Sequence, residues 1–155
     1  MNQTLTGAAA AAILARFAAG WATGGPEETE AAAGALAGVM PPDTVLALHG
    51  DLGAGKTTFV RGLARAWGVA GPVVSPTFNY VLLYEGTRQL AHLDAYRLVR
   101  PGDFDSLLID ELLKTPWCLA VEWPEKLGSH LPAGTWQVDF AAPEESKRVL
   151  TLRRP

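Results

Sequence analysis

Val45-Leu46-Ala47-Leu48-His49-Gly50-Asp51-Leu52-Gly53-Ala54-Gly55-Lys56-Thr57-Thr58 is the stretch from which the rest of the chain is read. Four apolar residues, the length of a buried strand, lead into Gly50. Gly55, Lys56 and Thr57 then complete G-x-x-x-x-G-K-T. Glycines accept positive φ and let the backbone approach a polyphosphate with no Cβ in the way. Successive N–H groups then turn inward into an anion-binding concavity. Lys56 offers a mobile positive charge to β- and γ-phosphates, and the Thr57 hydroxyl is a hard oxygen suited to Mg²⁺. The helix expected next aims its N-terminal end at the same phosphates. The spacing therefore predicts a nucleoside triphosphate site on Gly50, Asp51, Leu52, Gly53, Ala54, Gly55, Lys56, Thr57 and Thr58. Lys56 and Thr57 are expected to face a solvated loop.

A chain of 155 residues is most simply one globular unit, and one of this size buries roughly 70% of its unfolded surface without staples. The single cysteine, Cys118, excludes an internal disulfide and sits in an apolar run, as core cysteines do. A net charge of −3 carries no basic stripe of the kind that marks nucleic-acid binding, DNA included. No apolar stretch approaches the ~20 residues that span a bilayer. The apolar run 7–15 lacks a basic segment before it, so no signal peptide is read. The expectation is a reduced, cytoplasmic protein with no membrane contact.

Around the loop, the pattern alternates helices and strands. Residues 1–23 are Ala-rich and read either as a helix with Ile13, Leu14 and Phe17 on one stripe or, from Arg16 on, as a short edge strand. Glu27, Glu28 and Glu30 suit the first turn of a helix over 27–39, which ends before Pro41 and Pro42. A helix over 57–67 presents Val60, Leu63, Ala64 and Trp67 on one face and stops at Gly68. Strands over 80–84 and 89–93 flank a Glu85-Gly86 turn as a hairpin. Helical spacing follows over 104–113, then a fully buried strand over 117–121. Two alternating strands, 136–140 and 148–152, are expected at the end of the sheet. The fold class is α/β: a three-layer sandwich around a mostly parallel sheet with antiparallel edge strands. An Ala-rich element over 1–26 precedes the main domain, 27–155.

A phosphate loop of this type needs an acidic partner for its magnesium at the end of a neighbouring buried strand. Asp94 and Glu122 both stand at such ends, where ligands collect in open α/β sheets; at this point either qualifies. Ser75 and Thr77 lie between the loop helix and the next strand, where a nucleotide-sensing segment would be. Trp123 directly follows Glu122 and could flank the site, though by composition alone it reads as a packing residue, and His49, His92 and His130 show no ligand-like spacing.

Four blocks together carry a resemblance: Gly50-Asp-Leu-Gly-Ala-Gly-Lys-Thr-Thr-Phe-Val-Arg-Gly-Leu63, Val74-Ser-Pro-Thr-Phe78, His92-Leu-Asp-Ala-Tyr-Arg-Leu98 and Val121-Glu-Trp-Pro124. In order and spacing they resemble the TsaE (YjeE) family, the P-loop ATPases of bacterial tRNA threonylcarbamoyladenosine biosynthesis. The resemblance implies ATP and Mg²⁺ as cofactors, with Lys56 on phosphates, Thr57 and Glu122 at the metal, and Asp94 beside the γ-phosphate or its attacking water. It implies a switch-like role for 75–78, the adenine side near Thr29, and an arginine near the nucleotide at Arg148. Catalysis would fall to Lys56, Asp94 and Glu122. The implied partners are TsaD and TsaB, with tRNA met only through that complex, which ATP hydrolysis would reset between turnovers. Where the family has a glycine after the Asp94 motif, this chain has Leu108; Ala95 and Leu83 also depart from the family's usual residues.

Two other classes compete. A small-molecule P-loop kinase needs an arginine-bearing lid and an acceptor pocket, and the chain after Glu122 is short and ends in strands. A nucleotide-gated binding module would hydrolyse ATP only incidentally.

Overall fold

Thr44–His49 (β2) runs through the middle of a seven-stranded sheet, its apolar side chains covered on both faces. The computed structural model describes residues 5–76 and 79–155. The other strands are β1 (Trp21–Thr23), β3 (Val81–Tyr84), β4 (Gln89–Asp94), β5 (Trp117–Glu122), β6 (Trp136–Glu144) and β7 (Lys147–Arg153), in the order β1-β7-β6-β2-β5-β4-β3. The central four, β6, β2, β5 and β4, are parallel, while β7, β1 and β3 pair antiparallel outside them. This is the expected α/β class.

Three helices cover one face: α1 (Gly7–Ala19), α2 (Pro26–Ala37) and α3 (Lys56–Ala66). They close a core that joins Phe17, Leu36, Phe59 and Leu63 to Leu46, Leu48 and Leu150 of the sheet. Short helical pieces cover the other face, bringing Ile109 and Leu127 over Leu93, Leu119 and Val121 of the sheet. The two readings of 1–23 are both realised in part. Thr6 caps α1 by accepting from the Ala9 amide at 3.2 Å, and two residues after α1 ends, at Trp21, β1 is already paired with β7.

Pro26 opens α2 at a position where its missing N–H is harmless, followed by Glu27 and Glu28 in the first turn. The contact between α2 and α3 depends on Gly62. A Cβ there would lie 2.4 Å from the Glu30 carbonyl oxygen and 2.6 Å from the Ala33 Cβ. This approach brings the start of α2, with Thr29, beside the loop that leads into α3. Phe59, wholly buried, meets Phe140 of β6 edge-on with centroids 5.5 Å apart, fixing α3 from the other side.

Two expectations are corrected. Strands 136–140 and 148–152 do not end the sheet. They are longer, with a bulge between Ala141 and Glu144, and β6 is internal because it pairs parallel with β2 while β1 takes the edge. The helix expected over 104–113 is broken into α4 (Asp103–Ser106) and α5 (Ile109–Leu112). Leu108 stands between them at φ 50°, in the left-handed region, with its side chain 58% exposed. The turn lets Ile109 reach the second core face, which a continuous helix starting at Phe104 would have rotated away.

A branched side chain held left-handed stores of order 1 kcal/mol of strain, and Leu108 has little buried surface to offset it. Replacing it with glycine also adds unfolded-state entropy. Since the entropy cost of about 0.4–1 kcal/mol offsets most of the relieved strain, the expected net result for Leu108→Gly is a small stabilisation of up to about 0.5 kcal/mol, a rise of about 1–2 °C in Tm by calorimetry. A clear fall would show that the exposed leucine packs where the structure leaves it free.

Candidate functional site

The parallel register of the central strands aligns three carboxyl ends. Leu48 of β2 lies opposite Glu122 of β5, and Glu122 lies opposite Asp94 of β4. The loop between β2 and α3 therefore opens directly above the two acids. Gly53 and Gly55 take φ of 78° and 102°, which turn the chain into the first turn of α3. Gly50 does not share this conformation, against the expectation for the glycines as a set. It is needed because a Cβ would come within 2.9 Å of the Phe140 Cβ. Asp51 and Leu52 point outward, Leu52 90% exposed, and Ala54 is buried beneath the loop.

Lys56, expected in a solvated loop, is instead buried, only 6% exposed. Its ammonium donates to the Gly50 carbonyl and sits 3.6 Å from the centroid of the Trp123 ring. Trp123, at φ 57°, ends β5 in a left-handed turn that swings the indole over the loop, where it also meets Tyr96 at 5.3 Å. It is thus part of the site, not packing alone. Burial lowers the Lys56 ammonium below its ordinary value, opposed by the charges of Glu122, Glu125, Asp94 and Asp51.

Glu122 is 3% exposed, and the Thr57 hydroxyl donates to its Oε1 at 2.8 Å. Burial alone would raise this carboxyl, but His92, the Thr57 hydroxyl and the Lys56 charge outweigh it and hold the group below the usual carboxylate range. Asp94 is less buried, and its Oδ1 accepts from the Tyr96 amide at 2.9 Å. A cleft of about 240 Å³ brings together Lys56, Thr57, Ser75, Asp94, Glu122 and Trp123. Ser75 is carried there by a segment held from both sides. Arg61 Nε on α3 donates to the Val73 carbonyl at 3.2 Å, and the Tyr84 hydroxyl of β3 bonds the Val74 amide and carbonyl at 3.2 and 3.3 Å. Thr77 lies outside the described residues.

The site's oxygens suit magnesium. A threonine hydroxyl and a carboxylate already touch, a second carboxylate is adjacent, and no cluster of three or more His, Cys, Asp or Glu side chains forms a closed cage among the described residues. Mg²⁺ takes one or two carboxylates and retains water, so few protein ligands are wanted.

On the other side of Gly53 and Gly55 lies a second cavity, lined by Gly24, Thr29, Thr58, Glu145, Ser146 and Arg148 among others. Thr29 is buried there with its hydroxyl 2.9 Å from that of Thr23. Arg148 is committed to backbone: its guanidinium donates to the carbonyls of Gly53 and Ala54 in the loop and of Glu144, Glu145 and Lys147 in the β6–β7 turn. Sequence reasoning missed this clamp, the Arg61 and Tyr84 bonds, and the indole over Lys56. His92, passed over for its spacing, is wholly buried beside Glu122. Its signal was legible: in a strand, residues two apart share a face, so His92 accompanies Asp94.

A parallel-centred sheet with G-x-x-x-x-G-K-T leaving its middle strand, and acids ending the next two, is a P-loop NTPase-like domain. The chain belongs to the TsaE family: the model described as "Threonylcarbamoyl adenosine biosynthesis protein TsaE" matches residues 23–150. It is similar to the tRNA threonylcarbamoyladenosine biosynthesis protein TsaE of Bacillus subtilis (strain 168), 37% identical over 133 residues, covering 85% of this chain and 83% of that one. The protein of the same name from Treponema pallidum (strain Nichols) is 33% identical over 114 residues, 74% of this chain and 84% of that one. In structure the chain resembles crystalline YdiB of Bacillus subtilis, with a TM-score of 0.71 and 34% identity over 86% of this chain and 82% of that one. Helix α1 lies before the family match.

The Arg148 clamp has a measurable consequence without any ligand. Lysine keeps the charge but cannot span two loops with one planar fork. Arg148→Lys should raise amide hydrogen exchange at 53–55 roughly tenfold, a loss of about 1.4 kcal/mol in local opening energy. Unchanged exchange there would mean the loop holds its shape without the clamp.

Proposed function

We propose that this chain binds and hydrolyses ATP with Mg²⁺ as the nucleotide-driven subunit of tRNA threonylcarbamoyladenosine biosynthesis. The carrying observation is the 2.8 Å bond from the Thr57 hydroxyl to Glu122 beneath the phosphate loop, with Asp94 next in register. Thr57 and Glu122 would hold the metal, which when bound supplies positive charge to the phosphates. Lys56, drawn low in the cleft under Trp123, would leave the Gly50 carbonyl for the β- and γ-phosphates. Asp94, nearer the cleft mouth, would orient the attacking water. The second cavity, between Thr29 and Arg148, would take the adenosine end.

One feature of the cleft supports a partner. Lys56 is the only cation among its described lining residues, since Arg61 and Arg148 are turned to backbone carbonyls. A charge donor brought from outside a P-loop site accelerates hydrolysis by 10³–10⁵. Turnover is therefore slow alone and rises with the TsaB–TsaD pair, whose transfer of threonylcarbamoyl to tRNA this subunit would reset in the cytoplasm. tRNA is then met through the complex. The main domain, 27–155, carries this activity, and β1, which precedes it, supplies one edge of its sheet.

The experiment is phosphate release by the purified chain alone, with the TsaB–TsaD pair, and with sugar or nucleoside acceptors. The expected result is a slow basal rate, raised at least tenfold by the pair and unmoved by acceptors. Phosphate transferred to an acceptor would make the chain a kinase, and a rate indifferent to the pair would overturn the coupling.

A further inference from the structure

His92 is a wholly buried imidazole that the proposed chemistry leaves without a task. It sits on β4 two residues before Asp94, facing α3, directly across from Ala120 of β5, whose small side chain leaves room for the ring. The backbone groups around it are engaged in the parallel ladder between β4 and β5. Neither ring nitrogen makes a well-aligned hydrogen bond. What the imidazole does approach is Glu122: its Nε2 lies 3.3 Å from Oε2, while Thr57 holds Oε1 at 2.8 Å. Each oxygen of the carboxylate thus has one neighbour, from a different element. A buried imidazole is costly where leucine would pack, and most buried histidines bond a backbone carbonyl. This one is spent on a carboxylate.

We propose that His92 is a positioning residue for the metal site. It turns the Glu122 carboxylate so that Oε1 faces Thr57 and the phosphates while Oε2 is held inward. This rests on the reading of Thr57 and Glu122 as the magnesium-binding pair. In the proposed arrangement Nε2 carries the hydrogen, because a carboxylate can only accept. Outer partners of this kind fix the direction of a ligand's lone pairs, and their loss typically weakens metal affinity 10- to 100-fold. Nucleotide binding without metal, which draws on the loop amides and Lys56, does not pass through His92.

The test is a fluorescent ATP analogue titrated against the full chain in EDTA and over a range of Mg²⁺ concentrations. Three variants are compared with wild type: His92→Met, which fills the space, His92→Gln, whose amide nitrogen reaches toward the Nε2 position, and His92→Asn, which does not reach. Tm without nucleotide shows that each is folded. The expected result is a half-saturating Mg²⁺ concentration at least tenfold higher for Met and Asn, with Gln within about threefold of wild type. Affinity in EDTA should change by less than twofold in all. Should Met not fold, the contrast between Gln and Asn decides, since both are polar and share the same burial. Equal Mg²⁺ dependence in all four proteins, or an equal loss with and without Mg²⁺, overturns the positioning role and leaves a packing histidine. If wild type itself binds the analogue with no Mg²⁺ dependence, the magnesium reading of the cleft fails, and this proposal with it.

Discussion

The hydrogen bond from the Thr57 hydroxyl to Glu122 ties the first turn of α3 to the end of β5, and the arrangement of the cleft follows from it. A buried carboxylate is tolerable only when its charge is matched and its oxygens are occupied. Here Thr57 and Lys56 of α3 and His92 of β4 supply those needs. Loss of Thr57 or His92 takes the neighbour from one carboxylate oxygen, and loss of Lys56 removes a nearby positive charge. The sheet register then does the rest, because aligning Glu122 with Leu48 and Asp94 brings the loop and the second acid to the same edge.

The loop between these elements is stretched across two neighbours. Below, the missing Cβ of Gly62 lets α2 approach α3 and carries Thr29 to the loop; above, Arg148 gathers the loop carbonyls and the β6–β7 turn into one fork. Cavities on either side of Gly53 and Gly55 are thereby walled by elements far apart in sequence. Trp123 adds a lid of one side chain, its indole resting on the same ammonium that the phosphates would claim. The resting site therefore holds its charge in protein contacts of modest strength, of the order of 1–2 kcal/mol for a desolvated cation–π pair, which the proposed polyphosphate would have to exceed.

What was legible in the sequence is what local chemistry dictates. Gly50 to Thr58 announce the loop by residue type and spacing, and the strand ends at Asp94 and Glu122 follow from apolar runs that stop at an acid. The break at Leu108 was not legible, because apolar spacing at 104, 107, 108 and 112 is that of a helix and only tertiary packing selects the left-handed turn. The internal place of β6 was hidden for the same reason: alternation describes a strand but not its neighbour. Lys56 was expected in solvent because a loop was expected to be wet, while the indole that covers it is brought by a backbone turn at Trp123 that no pattern signals. Long-range polar contacts such as Arg148 on Ala54, 94 residues apart in the chain, lie beyond any window of sequence.

In the proposed chemistry two neighbouring acids do different work, Glu122 with the metal and Asp94 with water. This division is tested most directly by calorimetric titration of a non-hydrolysable ATP analogue into wild type, Glu122→Gln and Asp94→Asn, with Mg²⁺ and in EDTA. The account predicts that Glu122→Gln loses at least tenfold in affinity with Mg²⁺ and little in EDTA, whereas Asp94→Asn binds within about threefold of wild type in both. Equal losses in the two variants, or a loss in Glu122→Gln that persists in EDTA, would contradict it.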